Sequence, residues 1–488
     1  MSNLKLILGL FAGTVIYSYL MWYQDLGVNA FIFALLLVNS IFIYKKEVRA
    51  NSAARYTAAA FLLSAAFVGV NGIVYGKVMY YLSMIVFLSF AQLSSLRSLC
   101  WAVLSAVANV RQSLQLECSL IVQTAAQPFE NKNNKTRSGK NWEVLLIRIA
   151  IVSLLLIIFL AIFLSANAQF NKLWMNIFNP IVDFLSKVFS HISFFDIFHF
   201  LFIFYFLSLF FLPFQENTFA KYDRSFQDNF VRTKKKFYER FYKKGLSVDL
   251  KNEYKTALLC FIALNILLLC VNLTDMFSVW MGKIPSTNEL SSFVHTGTYL
   301  LIYSVLLSAG IMLYFFRENL NLYSKNKYLK YAANVWIIQN TFLLLSTGLR
   351  NYYYITQCGL TYKRIGVYIF LIIVLLSLLY LFIKINHKKT FYYYYKMCCW
   401  ELFSVLVVSG FFNWDVIICK YNTAFQKENM DYNYMESLSQ QALSYTHNHS
   451  LNIKENDSTD VSDFIDEVQN RNWQSFNLGD YWAAKKLK

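Results

Sequence analysis

The sequence predicts an all-α protein: a polytopic transmembrane helix bundle of about eleven spans, followed by a small helical carboxy-terminal tail. Three observations predict it. Of the 488 residues, 57% are hydrophobic and 15% are charged, whereas soluble domains carry about 25% charged residues. Apolar windows of about 20 residues recur along the chain, which is the length that crosses a bilayer as a helix. Lys and Arg collect in the short segments between those windows, as they do in cytoplasmic loops.

The apolar windows define the predicted spans in order. They cover residues 4–22, 28–44, 56–74, 78–96, 146–166, 197–214, 256–277, 296–316, 332–350, 366–386 and 399–419. No small-residue cleavage site follows the first window, so we expect a retained first helix. Residues 97–125 are left out because Arg97, Arg111 and Glu117 interrupt them, and a charge at the membrane centre costs about 2.5–3.5 kcal/mol on insertion scales. We expect a helix on the cytoplasmic surface there.

Loop charge orients the spans. Five basic loops are assigned to the cytoplasmic side, at residues 45–55, 132–148, 232–244, 325–330 and 384–396. The amino terminus is then cytoplasmic and the tail lies outside, and the predicted address is a bacterial cytoplasmic (inner) membrane. Topology therefore explains the net charge of +17, and no nucleic-acid partner is expected.

The windows and loops divide the chain into five segments. These are amino-terminal membrane helices with a cytoplasmic surface segment (1–145), two further spans (146–214), a basic cytoplasmic amphipathic loop (215–255), a five-span carboxy-terminal membrane domain (256–419) and a helical extramembrane tail (420–488). Aromatic residues alternate with Lys and Arg in the basic loop, which makes 221–251 a candidate surface for anionic lipids of the bilayer. A solvated loop that only fixes topology remains the alternative. The tail is a candidate contact for a protein partner.

The chain lacks the common catalytic and nucleotide-binding motifs. G-x-x-x-x-G-K-[ST], H-E-x-x-H, G-x-S-x-G and G-x-G-x-x-G are all absent from the sequence. The eight cysteines include no C-x-x-C pair and no His at ligand-like spacing, which argues against a zinc site. We therefore expect no catalytic residue, cofactor or metal. Cys358 and Cys419 both fall near the predicted outer face, which leaves one disulfide open.

Polar side chains inside the predicted spans are the remaining indication of function, because a membrane makes them costly. Asn265, Asn272 and Asp275 follow one another at spacings of seven and three residues and therefore share one helix face. Across a short outer loop, His295 begins the next span within reach of Asp275. Four amide side chains lie inside predicted spans, and these are Asn265, Asn272, Gln339 and Asn340.

Positive charge also stands on the predicted outer side. Arg350 and Arg364 run against the positive-inside trend, so something other than topology should keep them there. Asp415, near the outer end of the last span, is a candidate counter-charge. The hypothesis is an outer-facing polar site built from Asp275, His295, Arg350, Arg364 and Asp415. The alternative is that these residues form interhelical hydrogen bonds and ion pairs that fix the packing.

Several short motifs in a fixed order resemble those of one family. They are Asn272-Leu273-Thr274-Asp275, Phe293-Val294-His295-Thr296-Gly297, residues 336–340, Gly359-Leu360-Thr361 with Arg364, Trp414-Asp415-Val416-Ile417 and residues 472–478. Here the chain is similar to uncharacterised bacterial polytopic membrane proteins grouped as a domain of unknown function. The likeness covers about 256–488 and is weaker upstream, and Trp414 stands where the family pattern has a proline. The resemblance implies a fold and a membrane address, and no activity.

Three classes of function remain open. The leading hypothesis is a non-enzymatic scaffold, sensor or assembly component, because catalytic motifs are missing and the tail is able to dock on the bundle or on a partner. A transporter or channel is second; the intramembrane amides favour it, and the absence of visible paired interrupted spans weakens it. A membrane enzyme acting on lipid-linked substrates is third. Asp25 in the first outer loop favours it, since the arrangement resembles many-helix glycosyltransferases at the level of fold alone.

Overall fold

The structure of the protein is a computed structural model that describes most of the chain. The described residues are 3–126, 193–230, 250–282, 302–316, 319–323, 325–425, 431–446 and 457–488, with isolated positions between 152 and 180. His295, most of the predicted span 146–166 and the basic run 232–244 lie outside them. Within the described ranges the only β pairing is an isolated bridge between Asn229 and Lys389.

Eight helices make up the amino-terminal half of the described chain. They are α1 (Asn3–Met21), α2 (Val28–Tyr44), α3 (Lys46–Ala50), α4 (Ser52–Asn71), α5 (Val74–Gln92), α6 (Leu99–Ala126), α7 (Phe194–Phe211) and α8 (Thr218–Ser225). Local chemistry sets their ends. The α4 helix begins where the Asn51 side chain accepts a hydrogen bond from the Ala53 N–H at 2.8 Å. It ends at Gly72, whose φ of +62° is a left-handed conformation that glycine adopts without strain.

The carboxy-terminal half contains longer helices and a set of short ones. The long ones are α9 (Leu250–Asp275, continued by a π-helical turn Met276–Trp280), α10 (Ile302–Phe315), α12 (Lys327–Cys358), α13 (Tyr362–Asn386), α14 (Phe391–Ser409) and α15 (Trp414–Phe425), with the single turn α11 (Asn319–Leu322) before α12. The tail contributes α16 (Tyr432–Glu436), α17 (Gln440–Thr446), α18 (Asp457–Asn470), a 3₁₀ turn (Trp473–Ser475) and α19 (Leu478–Leu487).

Length and composition identify the helices that are able to cross a membrane. Five qualify among the described residues, namely α1, α4, α5, α9 with its π turn, and α13, and the bent pair of α14 and α15 is a sixth if it counts as one span. Helices α2, α7 and α10 are apolar but shorter. The predicted all-α polytopic bundle is confirmed, whereas the figure of eleven spans stays a prediction. Helix α6 is not among the candidate spans, although it has 28 residues.

Small residues bring the amino-terminal helices close together. Ala58 and Ala65 are at most 2% exposed on α4, and they let the buried rings of Phe61 and Phe87 fill the space between α4 and α5. The two helices are also joined by a hydrogen bond between the hydroxyls of Ser64 and Ser83 at 2.8 Å. Close backbone approach and buried hydroxyl pairs are typical of helix packing in membranes.

A second core joins α9, α10, α12 and α13. Phe261, Phe316, Ala333 and Leu381 are fully buried in it. Helices α9 and α12 run parallel, because side chains on α9 contact carbonyls of α12 at a constant offset of 67 residues along the chain. This regular offset aligns the polar faces of the two helices.

Helix α14 connects the two cores. Its Phe403 and Val407 are buried with the amino-terminal helices, while its other side packs on α13. The predicted span 399–419 differs from the structure, since α14 ends at Ser409 and α15 leaves at an angle of 61°. The turn between them is fixed by Asn413, whose side-chain oxygen accepts from the Val416 N–H at 3.1 Å.

The two ends of the bundle are built from different sets of loops and turns. We call one end the tail face; it carries the loop 22–27, the loop 72–73, the turn 359–361, the bend 410–413 and the tail. The opposite end, the basic face, carries Lys45, the loop 93–98, residues 218–230 and residues 387–390. Hydrogen bonds join members of each set, such as Gln441 Nε2 to the Asn71 carbonyl at 2.6 Å on the tail face and the Arg97 N–H to Asp223 at 2.6 Å on the basic face.

Candidate functional site

Asp275 and Arg350 form a buried ion pair between α9 and α12. The guanidinium Nη2 of Arg350 donates to Oδ1 of Asp275. The two side chains are only 7% and 9% exposed. A buried charge is tolerated when an opposite charge is hydrogen-bonded to it. Pairing with Asp275 therefore explains why the positive charge of Arg350 is found at this end of the bundle.

Arg364 stabilises the end of α12. Its Nη1 donates to the carbonyl of Cys358 at 2.7 Å and to the carbonyl of Gly359, and its guanidinium lies 4.0 Å from the ring centre of Tyr354. The last carbonyls of a helix lack intrahelical partners and carry partial negative charge, so a cation there is stabilising. Helix capping therefore accounts for a positive charge at a place that topology alone did not explain.

Asp415 has a tyrosine as its partner. Its Oδ1 accepts from the hydroxyl of Tyr362 at 2.6 Å, and no ion pair to it is present among the described residues. Two turns further along α15, the Asn422 side chain accepts from the Leu360 N–H at 2.6 Å and donates to the Leu360 carbonyl at 2.9 Å. Both contacts fasten α15 to the turn 359–361, so the structure does not give Asp415 the counter-charge role suggested by the sequence.

Three of the four amides predicted to lie inside spans join α9 to α12. Nδ2 of Asn265 donates to the Ala332 carbonyl at 3.0 Å, and Oδ1 of Asn265 accepts from Nε2 of Gln339 at 2.9 Å. Nδ2 of Asn272 donates to the backbone carbonyl of Gln339 at 3.1 Å. Asn340 instead bonds within its own helix, to the Trp336 carbonyl at 2.7 Å.

The predicted polar residues thus form two adjoining groups. The ion pair of Asp275 and Arg350 is one, and the turn held by Arg364 and Asp415 is the other. Asn351 connects them, because it follows Arg350 on α12 and its Nδ2 donates to the Arg364 carbonyl at 3.0 Å. In the part of the chain that the structure describes, these side chains bond mainly to one another and to helix backbone. His295 lies outside that part.

The tail docks on the first loop of the tail face. The Val28 N–H donates to the Phe476 carbonyl at 2.9 Å, and the Asp25 N–H donates to Oγ of Ser475 at 2.9 Å. Gly27 lies so close to the tail backbone that a Cβ there would collide with Ser475 and Phe476. The contact therefore requires glycine at this position.

An open cavity lined by both polar and apolar side chains lies beside this contact. Its volume is about 620 Å³, and the first loop and the tail both line it. Asp25 and Glu467 contribute carboxylates to its wall, and Arg471 lies between Glu467, at 2.8 Å, and Asp480. The loop carrying Asp25 and the tail thus face a shared volume.

Comparison with known families identifies the chain. The sequence pattern of a family described as a domain of unknown function (DUF4153) matches residues 7–449. The chain belongs to this family. The match runs from α1 to just beyond α17, so the DUF4153 pattern includes both halves of the bundle, whereas the resemblance seen in the sequence was strongest after residue 256. No curated protein and no solved structure matches the chain.

The basic face of this DUF4153 protein is held by acidic residues. Asp223 on α8 accepts from the Arg97 N–H and from the hydroxyl of Tyr392, the latter at 2.6 Å, and Asp228 pairs with Lys396 at 2.7 Å. Nearby, Lys45 donates to the carbonyls that end α5 and α7, and its burial lowers its pKa to about 8. Within the predicted lipid surface 221–251, Asp223 and Asp228 make these contacts, while most of the other side chains of 221–230 are exposed.

Two buried charged residues of the DUF4153 region were missed by sequence reasoning. Lys384 is fully buried, and its Nζ donates to the Phe316 carbonyl at 2.9 Å, at the end of α10. Glu401 on α14 is 4% exposed, and among the residues that the structure describes only Ser377 lies within hydrogen-bond reach, at 3.5 Å. The signal was present, since a carboxyl inside an apolar run of a membrane protein is by default a candidate functional group.

Proposed function

We propose that the protein is a non-enzymatic membrane scaffold or assembly component that presents its tail to a protein partner. The observation that carries the proposal is the docked tail. Its segments bind both halves of the bundle, at Val28 and Asn71 on one side and at Tyr362 on the other. A surface built from so many separate segments exists only when the whole bundle is folded, which suits a protein that reports or organises assembly.

The polar residues at the tail face support a structural role. Asp275, Arg350, Arg364 and Asp415 are each bonded to protein groups within the described part of the chain. A catalytic constellation needs groups that converge on a place where a substrate atom can sit. Side chains engaged in holding helices together favour the scaffold over an enzyme at this position.

The outward side of the tail carries exposed aromatic rings. Trp473 is 52% exposed, Trp482 is 50% exposed and Tyr481 is 45% exposed. Trp and Tyr are enriched at the energetically dominant positions of protein interfaces, and clustered exposed apolar surface marks interaction sites. We infer that this aromatic surface, made of Trp473, Tyr481 and Trp482, is where the partner binds.

The proposal includes a membrane address and an orientation. Loop charge supports a bacterial cytoplasmic membrane with the amino terminus inside, which would put the basic face in the cytoplasm and the aromatic surface outside. The remaining basic residues of 221–251 would then lie against anionic headgroups of the inner leaflet.

Photo-crosslinking tests the proposal directly. A photoreactive phenylalanine analogue placed at Trp482 should yield a single crosslinked product in intact cells, larger than the protein alone by the mass of one partner, because the partner covers that ring. The same analogue at Tyr328, which is 71% exposed at the opposite end of α12, is the matched control and should not yield it. Adding Trp473→Asp should remove the Trp482 adduct. Identical lipid-sized adducts at both positions would contradict a protein partner.

A membrane enzyme acting on lipid-linked substrates is the second candidate, favoured by the open cavity with Asp25 in its wall. In cells that lack the protein, we expect any altered surface glycan or lipid profile to be restored by the wild-type chain and not by Asp25→Asn, because the neutral amide cannot act as a base or nucleophile. Asp431→Asn, at the start of α16, is the control and should restore the profile. Equal restoration by Asp25→Asn would remove this candidate.

A further inference from the structure

Glu401 lies near the middle of the bundle, measured along its axis. It is the eleventh residue of α14, which ends eight residues later at Ser409. At 1.5 Å per residue, its Cα is roughly 15 Å from one end of the helix and roughly 12 Å from the other. Its partner Ser377 is similarly placed on α13, well inside both ends. The carboxyl group is therefore far from either face.

The hydrogen bonding of this carboxyl group is incomplete. Oε2 of Glu401 accepts from the Ser377 hydroxyl at 3.5 Å, and Oε1 has no hydrogen-bond partner among the described residues. No ion pair to Glu401 is present there either. Asp275 is the useful contrast, because it is equally buried and is paired with an arginine.

The groups facing Glu401 are polar but uncharged. On its own helix these are Tyr394 and Cys398, and on α13 they are Ser377 and Tyr380. Other helices contact neighbouring residues of α14: Tyr56 on α4 bonds Ser404 at 2.7 Å, and Cys100 on α6 lies beside Cys399. Helix α5 contributes an apolar ring, Phe90, which lies 5.3 Å from Trp400. Phenols, thiols and hydroxyls are neutral at pH 7, so none of these groups neutralises a carboxylate.

A carboxylate without a cation is costly in this setting. Burial of an unpaired charge costs far more than burial of the corresponding neutral acid, and a membrane interior increases the difference. As the carboxylic acid, Glu401 gains an O–H that is able to donate to the Ser377 oxygen. Such unpaired intramembrane carboxyls mark ion and proton pathways by default.

We propose that Glu401, together with Ser377, Tyr394 and Cys398, forms a proton-binding site in the membrane interior. The site takes up one proton from water to become the carboxylic acid, and it returns that proton when it becomes the carboxylate. This site is separate from the tail face, and it stands or falls independently of the scaffold proposal.

A lipid-soluble carbodiimide, dicyclohexylcarbodiimide, tests the site in membranes that contain the full chain. The acid O–H adds across one C=N bond of the reagent to form an O-acylisourea. The acyl group then migrates to nitrogen, which gives a stable N-acylurea with no leaving group. Because only the acid reacts, we expect modification of Glu401, measured by peptide mass spectrometry, to fall roughly tenfold per pH unit above its midpoint.

Three comparisons make the result decisive. Asp275, which is buried but paired with Arg350, should stay unmodified, and Glu401→Gln should remove the labelled peptide. Glu401→Asp keeps an acid in place and should retain pH-dependent labelling, which guards against a variant that simply fails to fold. An unmodified Glu401 in folded protein, labelling that does not change with pH, or equal labelling of Asp275 would overturn the proposal.

Discussion

Replacing Arg350 by methionine should lower the free energy of unfolding by about 3–5 kcal/mol, the largest loss expected from any single substitution at the tail face. The loss is large because the substitution leaves the carboxylate of Asp275 buried without its cation. Asp275 is 5% exposed, and its Oδ2 has no hydrogen-bond partner within the described ranges, so Arg350 is its main source of compensation. Unfolding of the purified protein in mixed detergent micelles measures the change.

The double variant Asp275→Asn/Arg350→Met separates the ion pair from packing. It removes both charges, so it should recover most of the stability lost in the single variant, and the cycle yields the coupling energy. Lys363→Met is the matched control, because Lys363 is an exposed cation near the same turn and its loss should change stability by no more than about 0.5 kcal/mol. A loss as large in Lys363→Met, or no recovery in the double variant, would contradict a buried pair.

The sequence predicted many helices well because hydropathy measures the feature that forms them. The window 28–44 coincides with Val28–Tyr44, and 366–386 lies within Tyr362–Asn386. The window 332–350 is shorter than α12, which runs from Lys327 to Cys358. Backbone hydrogen bonding continues through polar residues at both ends of α12, and hydropathy does not register that continuation. The bend after Ser409 was missed for a related reason, because Gly410 and the Asn413 cap interrupt the helix within a window that is still apolar on average.

Helical periodicity predicted which side chains share a helix face, but it could not predict which side chains they contact. The spacing of Asn265, Asn272 and Asp275 placed them on one side of α9, and in the structure all three contact α12. That Asp275 pairs with Arg350, and Asp415 with Tyr362, depends on the lateral order of the helices, which no local pattern contains. Glu401 could have been noticed as a single acid in an apolar run, but the sequence does not show whether a cation faces it.

Gly27→Ala should release the tail from the first loop, and this is the second large effect. The new methyl group would lie under 3 Å from the backbone of Ser475, which cannot move as a flexible side chain would. Overpacking of this kind costs about 1–3 kcal/mol, enough to raise the open fraction of the contact roughly tenfold. The thiol introduced by Ser475→Cys in a cysteine-free chain reports that fraction, because Ser475 is only 5% exposed when the tail is docked.

The rate of reaction with a membrane-impermeant maleimide is the measurement. Gly366→Ala is the matched control, since a Cβ at that glycine on α13 meets no atom within 4 Å, and it should leave the rate unchanged. Equal rates in the two variants would mean that the tail is not anchored at Gly27.

Added to intact cells, the same reagent also tests orientation: rapid labelling of Gly27→Ala there, and slow labelling in inverted vesicles, is expected only if the aromatic surface lies outside. The partner proposal requires that outcome, because a tail in the cytoplasm would present Trp473 and Trp482 to a different set of proteins.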